Sequence, residues 1–300
     1  MTSVAGSLDY LGVLELGGAD AIGFLQGQIT NDARRLAGGE CILAALCTPQ
    51  GRVIALMRAF LANGRVLALL PRELIAGVHE GLRRYVLRAK VTLSDRSEDL
   101  KVVGLPEARR LGEVGLAPPP PGQALTQEGL NLTAVPGDAS RALVIGSEQL
   151  LNERLPGWRE QRDFESRWKL ADIRAGLPQV YAATRETFVP QMLNLDLLDG
   201  IRFDKGCYTG QEIVARTQHL GRIKRRLFIL DLPAGDYHVG DTLRLDDGRG
   251  GRLVEYASVD GAHQGLAVFS LEPGGDLVSG DTEAGSARLP AGAARLAASP

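Results

Sequence analysis

The chain has 300 residues, 44% of them hydrophobic and 23% charged, with 37 glycines and a formal net charge of −2. That is the composition of an ordinary globular protein with room for two or three domains, and the near-zero charge says nothing about partners because it hides a basic segment described below. Three cysteines, Cys41, Cys47 and Cys207, exclude a disulfide framework and fit a reducing compartment.

Met1 to Asp9 has neither the charged n-region nor the apolar h-region of an export signal, so a cytoplasmic protein is expected. Leu11 to Leu16 reads as a strand closed by Gly17-Gly18. Asp20 can cap a helix carrying Ile22, Phe24 and Leu25, which Asn31-Asp32 ends. Three apolar runs follow, Cys41 to Cys47, Val53 to Leu61 and Val66 to Leu70, separated by the hairpin signals Thr48-Pro49-Gln50-Gly51 and Asn63-Gly64. The most apolar window, Val66 to Leu70, stops at Pro71 and is far short of a membrane span. Cys41 and Cys47 flank aliphatic residues and read as core. Glu73 to Leu87 has helical spacing, and Ala89 to Leu93 reads as a further strand. Strands, helix and strand in this order predict an α+β domain with a largely antiparallel sheet over residues 1–115.

Pro118 to Pro121 forms a stiff connection, after which a second α+β region is expected over residues 116–220. Within it, Asp163 to Ala175 is a helix candidate bearing Phe164, Trp168 and Ala171, stopped by Gly176 and Pro178. From Gly221 the pattern changes to short strands divided by Asp247-Gly248 and Asp260-Gly261, which predicts a small β-barrel over residues 221–285. The Ala-rich remainder, residues 286–300, is expected to be a loosely ordered tail. No internal repeat is visible, and neither the four histidines nor the cysteines show metal-ligand spacing.

The densest chemistry lies in Lys205-Gly206-Cys207-Tyr208-Thr209-Gly210-Gln211-Glu212, where a thiol, an amine, a phenol, an amide and a carboxylate crowd around two glycines. From Arg202 to Arg226 seven Lys or Arg stand against two acids, Asp204 and Glu212. A thiol among cations, next to a helix start, is biased toward thiolate. A lone cysteine is by default a buried one, but the company of Cys207 points to function.

This run, continuing through Arg216, resembles the signature of the YgfZ-type folate-binding proteins, relatives of the glycine-cleavage aminomethyltransferase (T-protein). Further blocks match in order along most of the chain: Gly18 to Ala21, Phe24 to Asp32, Pro49 to Arg52, Arg83 to Val91, Arg174 to Pro178 and Phe188 to Leu195. The resemblance implies an α+β, aminomethyltransferase-like folate-binding fold with a C-terminal small β-barrel, and tetrahydrofolate or a derivative as ligand. It also implies a role in supporting iron–sulfur enzymes or cluster assembly, including the radical enzymes that methylthiolate tRNA, with Cys207 as the functional thiol. Trp168 matches an aromatic position implicated in folate contact, and a second such position falls at Leu11, a departure from the family pattern.

A bound folate asks for a flat apolar slot, hydrogen-bond groups for the pterin edge and cations for its tail. Trp168 offers a stacking face, although a Trp on an amphipathic helix is by default a core residue. Gln211 and Glu212 offer pterin-edge contacts, with Tyr208 beside them, unless Glu212 pairs with Arg216 at i+4. Lys205, Arg216, Arg222, Lys224, Arg225 and Arg226 offer cations for a polyglutamate tail, or else form a solvated basic edge. The competing function is a genuine aminomethyl or one-carbon transferase. The resemblance places acids of those enzymes at Ile54 and Ala55 here, and losing a general acid/base costs on the order of 10²–10⁴ in rate. Direct tRNA binding through Arg222 to Arg226 is disfavoured, because the segment is short and has only Phe228 as an interleaved aromatic.

Overall fold

The computed structural model describes residues 5–135, 138–159, 161–219, 223–244, 249–271, 281–282 and 285–288. The first elements are β1 (Gly6–Ser7), β2 (Leu11–Gly17), α1 (Ala21–Gln26), β3 (Ile42–Cys47), β4 (Val53–Ala62), β5 (Arg65–Pro71), α2 (Arg72–Arg83) and β6 (Thr92–Asp95). Strands 2 to 6 form a five-stranded antiparallel sheet in the order β3-β4-β5-β2-β6. β3, β4 and β5 read as largely apolar runs because both faces of the sheet are covered there, Arg58 being the one charge inside β4. Ala44, Met57, Ala68 and Leu14 pack under Leu25 of α1 and Leu74 and Val78 of α2. Residues one step out of phase, such as Leu43, Leu56 and Phe60, face the rest of the molecule.

The second sheet is built from β7 (Lys101–Leu105), β8 (Ala124–Gln127), β9 (Leu130–Val135) and β10 (Asp138–Gly146), and is followed by α3 (Glu148–Arg154) and α4 (Phe164–Arg174). The strand order is β1-β7-β10-β9-β8, so the first strand of the chain completes the second sheet, and that sheet begins at Lys101, ahead of the division expected after residue 115. Val102, Leu143 and Ile145 turn toward the first sheet with Phe164 and Trp168 of α4. Val103, Leu132 and Val144 turn away, under Leu151 and Trp158.

The remaining elements are α5 (Gln211–His219), β11 (Arg225–Asp231), β12 (Thr242–Arg244), β13 (Gly250–Val259), β14 (Ala262–Ser270), β15 (Asp281–Thr282) and β16 (Gly285–Arg288). They give a six-stranded antiparallel sheet, β12-β13-β14-β11-β16-β15. β16 pairs with β11, which carries the sheet past residue 285, where the loose tail was expected to start; residues 289–300 lie outside the described residues. Leu227, Val254 and Val268 of this sheet pack against Leu56 of β4 and Ile173 of α4. α4 is thus the element on which all three sheets converge.

Two boundaries differ from the sequence reading for a local reason. The helix expected to run to Leu87 stops at Arg83, because the chain after it is captured: Asp20 Oδ2 accepts from the backbone N–H of Lys90 at 2.7 Å, and the Asp20 N–H donates to the Lys90 carbonyl at 3.3 Å. Gly18, at φ 101°, permits that capture, since a Cβ there would lie 2.1 Å from the Lys90 carbonyl oxygen. The strand expected from Ala89 accordingly begins at Thr92. Among the described residues, no helix is long and apolar enough to cross a membrane.

Candidate functional site

Cys207 sits on the irregular segment leading into α5, and its thiol is exposed. The other two thiols are buried, and burial pushes Cys41 up to about 11 and Cys47 up to about 12, which leaves them inert as nucleophiles at neutral pH. The residues around Cys207 are anchored with unusual completeness. Lys205 is only 7% exposed, and its Nζ donates to three backbone carbonyls, Gln26 at 2.7 Å, Ile29 at 2.6 Å and Asn31 at 2.8 Å. An ammonium has three N–H donors, so its capacity is filled by the loop that follows α1. Burial pulls the amine down to about 8, against the opposing pull of the Asp32 carboxylate.

The same loop grips the segment elsewhere. The Arg202 N–H donates to the Thr30 carbonyl at 3.0 Å and that of Thr209 to the Gly27 carbonyl at 3.3 Å. Thr30 Oγ1 donates to the Gly200 carbonyl at 2.6 Å, and Asn31 Nδ2 to those of Leu43 at 2.8 Å and Asp199 at 2.6 Å. Tyr208 is buried with its ring 4.9 Å from Lys205 Nζ, and burial raises its phenol well above the usual value. Gln211 Oε1 accepts from the Tyr208 N–H at 3.3 Å. Gly210, at φ 84°, lies against the turn between β3 and β4, where a Cβ would come within 2.5 Å of the Thr48 carbonyl oxygen. Cys207 and Gly206 are left in solvent between these fixed points.

A second cluster lies where the three sheets meet. Asp172 of α4 accepts from Arg141 of β10 at 2.7 Å and stands 3.6 Å from Arg58 of β4, all three being buried. One carboxylate therefore serves two guanidinium groups, and the Trp168 carbonyl accepts from Arg141 as well, at 3.4 Å. Lys169 Nζ, paired with Glu165 at 3.0 Å, sits 4.5 Å from the ring of Tyr10 and 5.6 Å from that of Tyr181. The Tyr181 hydroxyl donates to Glu255 Oε2 of β13 at 2.5 Å. Burial pushes the Glu255 carboxyl up to about 7, against the pull of Lys169, and burial likewise raises the phenols of Tyr10 and Tyr181. Tyr10, Pro71, Arg72, Glu73 and Tyr181 line a cavity of about 450 Å³ beside this cluster, within the range of about 300–1,000 Å³ typical of small-molecule sites.

The structure divides the expected site residues between these two places. Lys205, Cys207, Tyr208 and Gln211 come together on the anchored segment. Glu212 and Arg216 stand exposed on α5 with no ion pair between them among the described residues. Trp168 and Leu11 are in the packed cluster between the first two sheets. The Trp168 ring, 2% exposed, has the Arg141 guanidinium 4.7 Å from its centroid and the Phe164 ring 6.2 Å away, while its indole Nε1 has no hydrogen-bond partner. Leu11 pairs with Pro71, which lines the cavity, and its neighbour Tyr10 supplies an aromatic wall there. Arg226 forms a bidentate pair with Asp196 at 2.6 and 2.8 Å; Lys224 and Arg225 are exposed, and Arg222 lies outside the described residues. Ile54 and Ala55 are on β4 with no carboxylate at either position, and the charge that β4 does carry is Arg58.

Tyr10, Arg58, Arg141, Lys169, Asp172, Tyr181 and Glu255 were not singled out from the sequence. Two of them had a signal: Arg58 interrupts the apolar run of β4, and Glu255 that of β13. A charge inside a strand covered on both faces demands a buried partner. Among the described residues, no group of three or more His, Cys, Asp or Glu is placed to hold a metal ion.

No family model matches the chain. Relatives include the tRNA-modifying protein YgfZ of Yersinia pseudotuberculosis serotype O:1b (strain IP 31758), 34% identical over 230 residues that cover 75% of this chain and 69% of that protein. An uncharacterized protein of Haemophilus influenzae is 34% identical over 225 residues, covering 74% of this chain and 71% of that one. Among solved structures, the glycine cleavage system aminomethyltransferase T from Bartonella henselae superposes with a TM-score of 0.70 over 96% of this chain and 85% of that one, at 16% identity. The structural likeness establishes an α+β fold of the aminomethyltransferase (T-protein) type, and the sequence relatives are close enough to decide the rest: the chain belongs to the YgfZ family.

Proposed function

We propose that the protein is a tetrahydrofolate-binding accessory factor in tRNA modification, which sustains iron–sulfur enzymes or their cluster assembly through the thiol of Cys207. The observation that carries the reading is the contrast between the exposed Cys207 and the fully bonded frame around it. A buried ammonium with three carbonyl partners is a costly way to hold a loop, and it makes sense where the loop presents a reactive atom. The name of the Yersinia relative points to tRNA modification. One thiol cannot hold a stable cluster, which ordinarily takes about four cysteines, so any cluster on Cys207 is transient or shared between chains.

We place the tetrahydrofolate in the cavity beside Tyr10 and Tyr181, whose volume suits a small molecule. These rings supply the flat apolar walls and Arg72 a cation for an anionic tail, while Lys169 sits against both rings and Glu255 takes the Tyr181 hydroxyl without lining the cavity themselves. The unpartnered Trp168 Nε1 is a buried donor that a ligand atom would satisfy. In this placement Lys205, Tyr208, Gln211, Glu212 and Arg216 serve the thiol segment, and Trp168 and the strand of Leu11 serve the ligand. A transferase reading is weaker, because β4 offers no acid at Ile54 or Ala55.

Two measurements test this. Titration with tetrahydrofolate, followed by tryptophan fluorescence, is expected to saturate without any glycine-cleavage activity, and Trp168→Phe, which keeps a ring but removes the N–H, to weaken binding about threefold to tenfold. No binding at millimolar ligand would remove folate from the proposal. Cys207→Ala is expected to fold normally and to fail to restore methylthiolated tRNA in a strain lacking its own YgfZ. Full complementation by that variant would end the thiol reading.

A further inference from the structure

Among the described residues only two large apolar side chains stand out in solvent, Tyr85 at 50% and Leu87 at 87% exposure, and they lie two residues apart on one loop. The loop is held in shape. Its Lys90 end is clasped by Asp20, and internal bonds run from the N–H groups of Tyr85, Val86 and Leu87 to the carbonyls of Leu82, Arg83 and Tyr85. Its charges are all of one sign, Arg83, Arg84, Arg88 and Lys90; Glu80 stands 3.1 Å from Arg83 and 3.9 Å from Arg84, and the Asp20 carboxylate takes the Lys90 backbone N–H. Beside it opens a groove of about 160 Å³, room for one side chain, whose floor is Leu46, Ile54 and Leu82. Tyr85 and Arg84 form one wall of that groove and Thr209, two residues from Cys207, belongs to another.

We propose that the loop from Arg83 to Lys90 and this groove are the docking surface for an acidic segment of a partner protein, which inserts one apolar side chain and is thereby set against Cys207. The inference rests on the reading of Cys207 given above and names the chemistry of its partner. Four cations around an apolar pair select an acidic surface. Leu87 selects protein over nucleic acid: a phosphate backbone accounts for the arginines and a base for Tyr85, but an aliphatic side chain neither stacks nor pairs with a base and gains only from an apolar partner that covers it. A rigid loop with a central apolar anchor and a charged rim is the usual anatomy of a binding hot spot.

The test uses the full chain and labelled probes: a short acidic peptide with a central phenylalanine, the same peptide with serine at the centre, a basic peptide with phenylalanine, and a single-stranded RNA oligonucleotide. The acidic phenylalanine peptide is expected to bind at least tenfold more tightly than the other two peptides. Leu87→Ser or Arg84→Glu, both at exposed positions, is expected to weaken it at least tenfold. Equal binding of the serine peptide, insensitivity to Leu87→Ser, or RNA binding lost on Leu87→Ser would each overturn the proposal. In a second arm the acidic peptide carries an aryl disulfide. Cys207 sulfur attacks it, a new S–S bond forms, the thionitrobenzoate leaves with the bonding pair, and the thiol proton passes to solvent. Cys207 is expected to react at least tenfold faster than with the untargeted reagent, and Leu87→Ser to abolish the gain; no acceleration would overturn the placement beside Cys207. In complementation, a functional Cys207→Ala would overturn the thiol reading itself, whereas a functional Leu87→Ser beside a failed Cys207→Ala would overturn the docking surface alone.

Discussion

Replacing Lys205 with methionine separates the anchoring of the thiol segment from the thiol itself. Methionine fills nearly the same volume but leaves the carbonyls of Gln26, Ile29 and Asn31 without their donor. Three hydrogen bonds to an ammonium, at about 1.5–3 kcal/mol each, amount to roughly 5–9 kcal/mol. Against this, burial holds the amine near 8 rather than 10.5, a handicap of about 3 kcal/mol that methionine does not carry. The contact of the ammonium with the Tyr208 ring is lost as well. The net expectation is a destabilisation of about 2–6 kcal/mol, concentrated where the segment meets the loop after α1.

Urea denaturation measures the global part of this effect as a drop in midpoint at constant slope. Hydrogen exchange of the Thr209 amide, which donates to the Gly27 carbonyl, reports the local part. If the bonds hold the segment, Lys205→Met loses protection there before it loses it in β4 or β5. A variant within about 0.5 kcal/mol of the parent, with Thr209 equally protected, would show that the ammonium is incidental to the position of Cys207.

Asp172→Asn removes the carboxylate that Arg58 and Arg141 share, and should cost about 3–5 kcal/mol, read as a lower urea midpoint; a change under about 1 kcal/mol would mean that the two cations are compensated elsewhere. Gly210→Ala forces a Cβ against the Thr48 carbonyl at a left-handed φ, so a loss of about 1–3 kcal/mol is expected, with Cys207 alkylation altered and the β4–β5 hairpin unaffected. The folded-state carboxyl of Glu255 titrates near 7 rather than 4.5, so its contribution to stability is complete below about pH 4.5 and is lost as pH rises through about 7, a swing on the order of 3 kcal/mol. Glu255→Gln should flatten the fall in melting temperature between about pH 5 and about pH 8, and identical slopes for parent and variant would reject the assignment.

The hairpins were legible because their signals are local. Asn63-Gly64, both residues at positive φ, joins β4 to β5, and Thr48 to Gly51 joins β3 to β4. The motif around Cys207 was legible as chemistry, but not the duty of each member. A lysine between Asp204 and Gly206 looks like a solvent cation, and only the three carbonyls brought to it from residues 26–31 make it an internal one. The cluster on α4 was illegible for a different reason. Tyr10, Arg58, Arg141, Tyr181 and Glu255 come from separate stretches of the chain, and no spacing relates them until three sheets close on one helix. β1 escaped notice because two residues carry no period, yet it sends the start of the chain into the second sheet.

The geometry also limits how folate and thiol can act on one another. β4 touches both places. Gly51, just before it, packs against Ile213 and Gly210 beside the thiol segment, and Arg58 reaches the cluster under the cavity. Seven residues of extended strand separate these points, roughly 20 Å at about 3.3 Å per residue. On the proposed placement a carbon unit carried by folate does not reach Cys207, so any influence must pass through the stability of the shared frame. Ligand at about a hundred times its dissociation constant adds about 2.7 kcal/mol to the folded state, felt in β4, β13 and α4, where the cavity cluster is rooted. Saturating tetrahydrofolate should therefore slow hydrogen exchange in those elements while leaving the rate of Cys207 alkylation within about twofold, since the thiol is already exposed in the free protein. A folate-dependent change in alkylation of tenfold or more would put the ligand at the thiol, and would move the folate site from Tyr10 and Tyr181 to the segment around Lys205.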